Sequence, residues 1–190
     1  MDYFKSLEIV GLIAGLCYLF LIIWENIWCW LFGIIGSLVT VFLYFHAKLY
    51  LESILNIYYV LAGVYGWYYW KEKSKKEALS VSEWENNKHV VLIAISIVLS
   101  IGTGFLMKKY TDSPHPFIDA TMAIFSLSAT VLEARKILSA WIYWFFINGV
   151  SIWLQVDRGL NLYSILSIFY TIMSIMGYLQ WKKSYNLQSN

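Results

Sequence analysis

The chain has 190 residues, of which 59% are hydrophobic, 19% aromatic and only 14% charged, with a formal net charge of +2. That leaves too little polar surface to wrap a soluble core of this size, which excludes a water-soluble domain and makes the chain an integral membrane protein. So small a net charge gives no basis for nucleic-acid binding.

About 20 apolar residues make one helical crossing, and on that measure the spans fall near Leu7–Ile23, Ile27–Phe45, Leu51–Trp70, His89–Leu106, Phe117–Leu132, Ile137–Val156 and Leu162–Trp181. The first is expected to stay in the mature protein, because Asp2 and Glu8 flank its start and no small-x-small cleavage site follows. Cys17 and Cys29 lie in apolar runs without metal-ligand spacing and read as small buried hydrophobes, with no disulfide implied. Only Trp24, Glu25 and Asn26 separate spans one and two, and Glu133 to Lys136 separate five from six, so these pairs are antiparallel hairpins. Gly33, Gly36 and Ser37 on span two, and Gly63 and Gly66 on span three, permit close helix approach. Lys71 to Lys88 is the one long polar stretch; it reads as a solvated cytoplasmic connector or, around Ala78 to Trp84, as an amphipathic surface helix.

Leu49 to Lys71 recurs without a gap 111 positions later, at Leu160 to Lys182: Ser53, Ile54, Leu55, Tyr59, Gly66 and Trp70 match Ser164, Ile165, Leu166, Tyr170, Gly177 and Trp181. The offset carries span two onto six and three onto seven, and projects one onto five, leaving four unduplicated. The expected fold is all-α: two parallel three-helix repeats joined by a linker helix. Residues 1–70 form the first repeat, 71–110 the connector and linker, and 111–190 the second repeat. Duplicated halves in a membrane chain are the signature of alternating access in a transporter.

Nine of the fourteen cations fall on the side reached by Lys71 and Lys182 and five on the side of Lys5 and Arg158. The positive-inside rule then places the N-terminus outside and the C-terminus in the cytoplasm.

Polar side chains inside a lipid-crossing helix need a partner or a cavity. Glu52, Asn56 and Tyr59 share one face of span three; Asn148, Ser151 and Gln155 form a stripe on span six. Each stripe admits two readings, interhelical hydrogen bonding or a solute path, and Glu52 can also sit at the outer membrane surface beside Lys48. Trp141 and Trp144 stand one turn apart with Asn148 a further turn on, a wall suited to an aromatic or cationic aromatic solute held by stacking and cation–π attraction. Trp28, beside Trp30, reads as an interfacial anchor. His46, His89 and His115 lie at span ends, which disfavours a proton relay. No phosphate loop, metal-ligand cluster or nucleophile–base pairing is present, so neither ATP hydrolysis, a cofactor nor an enzyme activity is expected. A sugar uniporter is the other transporter reading.

The blocks AKLYLESILNIYYVLAGVYGWYYW, ARKILSAWIYWFFINGVSIWL and GLNLYSILSIFYTIMSIMGYLQW, in this order, resemble the PnuC/PnuT family of bacterial vitamin transporters. The resemblance implies a SWEET-like fold in the inner membrane and a homotrimer with one substrate path per protomer. It also implies facilitated diffusion of a vitamin that a cytoplasmic kinase then phosphorylates and traps. It carries the substrate-binding pair over to Trp141 and Trp144, with Asn148 beside them. Between its thiamine and nicotinamide riboside branches, Glu52 favours thiamine, since a carboxylate can accept two hydrogen bonds from an aminopyrimidine and offset the thiazolium charge.

Overall fold

A computed structural model describes residues 2–46, 50–76 and 80–188. Seven α-helices carry them: α1 (Asp2–Ile23), α2 (Trp28–His46), α3 (Tyr50–Lys76), α4 (Asn86–Tyr110), α5 (Pro116–Ala134), α6 (Ala140–Asp157) and α7 (Asn161–Gln188). Each falls on one of the seven expected spans. Among the described residues, five helices are long and apolar enough to cross a membrane: α1, α2, α4, α5 and α7. The two that fall short, α3 and α6, bear the tyrosines, tryptophans and amides singled out as candidate functional residues, and those side chains lower their hydropathy. Several hydroxyls within the helices bond back to their own backbone, as Thr40 to the Gly36 carbonyl (2.9 Å) and Thr130 to that of Ser126 (2.8 Å), so the polarity of these groups is satisfied without water.

The chain forms two compact units, Met1–Ser80 with Gln180–Asn190, and Val81–Leu179. In the first, α1 packs on α2 and α2 on α3; in the second, α4 packs on α5 and α5 on α6. Within each unit a tryptophan of one helix lies across a glycine of another. A Cβ on Gly66 would fall 2.5 Å from the Trp30 ring, and one on Gly177 would fall 2.4 Å from the Trp141 ring. The two pairs stand 111 residues apart at both members, so the duplication extends to packing. Nothing larger than hydrogen fits under either indole.

The hairpin turns repeat as well. Among the described residues, Glu25 (φ 56°) and Lys136 (φ 55°) are the non-glycine residues in the left-handed region. Each closes a Schellman turn, with Asn26 N–H donating to the Leu21 carbonyl (2.9 Å) in one and Ile137 N–H to that of Leu132 (2.9 Å) in the other. Gly159 (φ 71°) closes α6 in the same way.

The polar connector departs from the sequence expectation. Helix α3 runs on to Lys76, and Val81 is 2% exposed rather than solvated. Ser82 pairs with the α5–α6 turn: its N–H donates to the Lys136 carbonyl (3.0 Å) and its carbonyl accepts from Leu138 N–H (2.9 Å). That pairing engages the Lys136 carbonyl and the Leu138 N–H across Ile137, and α6 starts at Ala140 and not at Ile137. Residues 80–84 form no amphipathic helix; Ala78 lies outside the described residues.

At the opposite end of the second unit, Arg158 donates to both carboxylate oxygens of Asp119 (2.8 and 2.7 Å), Ser113 donates to the same carboxylate, and His115 Nε2 meets Asp157 (2.8 Å). The residues 111 positions before His115 and Asp157 are Phe4 and His46, whose rings stand 5.6 Å apart. One contact thus persists with its chemistry changed from ring against ring to a hydrogen bond. With Asp119 16% and Arg158 29% exposed, Asp119→Asn should cost no more than about 1 kcal/mol. Thermal unfolding in detergent at low and high salt checks this: the deficit should shrink as salt rises.

Candidate functional site

Helix α6 carries two faces. One bears Trp141, Trp144, Asn148 and Gln155 and meets α7. The 3.6-residue period keeps these side chains in line, and Gly177 lets α7 approach closely enough for its serines to reach them. Asn148 donates from Nδ2 to the Ser174 hydroxyl (3.3 Å), which itself donates to the Tyr170 carbonyl (2.8 Å). Further along, Ser167 donates to the Gln155 side-chain oxygen (2.9 Å). Of the stripe expected on span six, Asn148 and Gln155 are joined to α7 by hydrogen bonds.

The two indoles differ. Trp141 is 2% exposed and fills the space over Gly177. Trp144 is half-buried, and its Nε1 is enclosed with no acceptor among the described residues. Leaving such a donor unsatisfied costs about 1–3 kcal/mol. One turn on, Asn148 uses one of its four hydrogen-bonding positions on Ser174. An aromatic face, an unanswered indole N–H and an amide with spare capacity within two turns make an environment that binds a flat solute with polar edges.

The copies differ in this region. The residue 111 positions before Trp144 is Gly33, and the space a Cβ would enter there is taken by the Tyr18 ring, 2.9 Å away. The residue equivalent to Tyr18 in the second repeat is Ala129, which is fully buried. The bulky aromatic comes from α1 in one copy and from α6 in the other.

On α3, Asn56 and Tyr59 are half-buried, and the Tyr59 ring lies edge-on to that of Tyr58 (5.8 Å). The Glu52 side chain, and Lys48 beside which it was expected, lie outside the described residues. Ser53, on the same helix, is buried and donates to the Val41 carbonyl (3.1 Å), a packing bond between α3 and α2. Ser174 and Tyr170 were not singled out from sequence. A signal existed for Ser174, which stands where the first copy has Gly63, at a position where the matched segments diverge. Among the described residues no cluster of histidine, cysteine and carboxylates is placed to hold a metal.

Five helices long and apolar enough to cross a membrane, with an aromatic and amide face on α6, mark a multi-pass membrane protein. A family profile described as nicotinamide mononucleotide transporter matches residues 5–183, and the chain belongs to that family. It is 26% identical to the nicotinamide riboside transporter PnuC of Escherichia coli over 94% of this chain and 85% of that protein. It is 25% identical to the riboflavin/roseoflavin transporter RibM of Streptomyces davaonensis over 92% and 83%. Its fold is similar to the crystal structure of the vitamin B3 transporter PnuC, with a TM-score of 0.76 at 22% identity, covering 96% of this chain and 83% of that one.

Proposed function

We propose that the protein carries nicotinamide riboside across the bacterial inner membrane by facilitated diffusion. Trp144 carries the proposal: a half-buried indole whose N–H has no acceptor among the described residues, one turn from an amide with spare capacity. A nicotinamide ring is flat and cationic, which suits an indole face, and its carboxamide offers the acceptor that Trp144 lacks and the complement that Asn148 needs. Trp141 backs this wall, and Glu52, Asn56 and Tyr59 are the first repeat's candidates for binding. The thiamine preference rested on Glu52, whose side chain is outside the described residues, whereas the relatives bear the names of nicotinamide riboside and riboflavin transporters.

In this reading residues 1–70 and 111–190 are parallel three-helix repeats that rock about the path, and 71–110 supply the connector and linker helix. The N-terminus lies outside, the C-terminus is cytoplasmic, the assembly is a homotrimer, and a cytoplasmic kinase traps the product. Isothermal titration of the purified protein with nicotinamide riboside, thiamine and riboflavin tests the substrate: binding of the riboside alone is expected, and binding of thiamine or riboflavin without it overturns the assignment. Uptake into liposomes should persist when ionophores collapse proton and sodium gradients; its abolition would replace facilitated diffusion by ion coupling.

A further inference from the structure

The Asn148 amide is turned one way by a serine that is itself committed. Ser174 is 3% exposed, and its hydroxyl hydrogen goes to the Tyr170 carbonyl one turn back in α7 (2.8 Å). Its oxygen is left to accept, so the Asn148 group that meets it at 3.3 Å is the donor Nδ2 and not Oδ1. Turning the amide over would set Oδ1 against the Ser174 oxygen, or draw the hydroxyl away from the Tyr170 carbonyl, and one hydrogen bond is lost either way. Asn148 is left with its carbonyl oxygen and one N–H unpaired among the described residues. One turn earlier on the same face, Trp144 Nε1 is an enclosed donor with no acceptor among the described residues. Side chains four residues apart on a helix stand about 5–6 Å from each other at Cβ, a gap that one planar group with an acceptor at one end and a donor at the other can bridge. A primary carboxamide is such a group: its oxygen answers Trp144, and its NH2 answers Asn148 Oδ1. A carboxylate of the same shape has two acceptors and a charge. It would answer Trp144, but it would set an oxygen against Asn148 Oδ1 with no hydrogen between them. The first repeat lacks both parts. The residues 111 positions before Asn148 and Ser174 are Ser37 and Gly63, and a Cβ on Gly63 would fall 2.7 Å from Ile34 Cγ1, so no hydroxyl can take that place.

We propose that Ser174 is a positioning residue that makes the site select a carboxamide over a carboxylate: it fixes Asn148 with its oxygen toward the solute, so nicotinamide riboside is taken and nicotinic acid riboside refused. This selectivity rests on the carriage of nicotinamide riboside proposed above and adds what the site rejects.

The test is isothermal titration of the purified full-length protein, native, Ser174→Ala and Asn148→Asp, with nicotinamide riboside and with nicotinic acid riboside. The native protein is expected to prefer the amide by about 100-fold or more, as a site does whose polar groups the wrong ligand leaves unanswered. In Ser174→Ala the Asn148 amide is free to turn Nδ2 toward a carboxylate, and the preference should fall by about 5- to 10-fold, the scale of one hydrogen bond. A serine that only packs α7 on α6 would weaken both ligands alike and leave their ratio unmoved. Asn148→Asp keeps an acceptor toward the solute and sets a like charge against the acid, so the preference should equal or exceed the native one, and this arm stands whether or not Ser174→Ala folds. Equal affinity of the native protein for both ribosides overturns the proposal while leaving the carriage of the riboside intact. An unchanged ratio in Ser174→Ala overturns it as well, as does loss of the preference in a correctly assembled Asn148→Asp. A native protein that binds neither riboside overturns the proposed carriage and this selectivity with it.

Discussion

Gly177→Val is expected to destabilise the protein by about 1–3 kcal/mol or more, read as a lowered midpoint of thermal unfolding in detergent. A Cβ there would stand 2.4 Å from Trp141 Cε3 and 2.5 Å from Cδ2 and Cζ3, closer than non-bonded carbons approach. The atoms it meets belong to a flat ring that is 2% exposed and has no room to swing aside, so either the ring leaves its pocket or α7 moves off α6. Moving α7 also strains the Asn148–Ser174 and Ser167–Gln155 bonds, which share that interface. Trp141→Ala alone should cost about 3–5 kcal/mol through the cavity it leaves. In Trp141→Ala with Gly177→Val, the valine enters that cavity, and the summed losses should not be reached. Gly66→Val against Trp30 is the matching experiment in the first repeat and should behave alike. An unaltered midpoint for Gly177→Val would show that the indole does not hold the two helices together.

The helices were legible because lipid imposes a simple code, and the duplication was legible because the apolar blocks align without a gap. The offset even named the members of the tryptophan–glycine pairs. It did not disclose that they touch: spacing along a helix fixes the face on which Trp141 lies, not the neighbour that covers it, so an indole expected to line the path is found sealed against glycine. The Ser82 pairing was illegible for another reason. It is made by backbone atoms, and a connector rich in lysine and glutamate gives no hint that Val81 is buried. His115 was read only as a span end, and Asp157, 42 residues on, was not singled out; their meeting depends on the closeness of the α5 start and the α6 end. Ser174 was hidden by the habit of reading matched copies for what they share. Where the copies differ, at Gly33 and Trp144, at Gly63 and Ser174 and at Tyr18 and Ala129, two structurally equivalent places take different chemistry.

Trp144→Ala should weaken nicotinamide riboside binding by about 1–3 kcal/mol, the scale of losing a stacked cationic ring at a desolvated anchor, or about 5- to 150-fold in Kd. Trp144 is half-buried where Trp141 is 2% exposed, and its N–H has no acceptor among the described residues, so its removal breaks no hydrogen bond there and should leave the unfolding midpoint near that of the native protein. Trp144→Phe keeps an aromatic face without the donor and should fall between the two. Asn148 answers a separate question. Ser174→Ala removes the acceptor on which the Asn148 amide rests, so a loss of affinity in that variant would mark Asn148 as a residue whose orientation matters, whereas Asn148→Ala removes the amide itself and should cost at least as much. Titration of each variant, with size-exclusion chromatography to verify assembly, separates the outcomes. Native affinity in a correctly assembled Trp144→Ala protein would return this tryptophan to the role of a membrane anchor and move the search for the path to the Asn56 and Tyr59 face of α3.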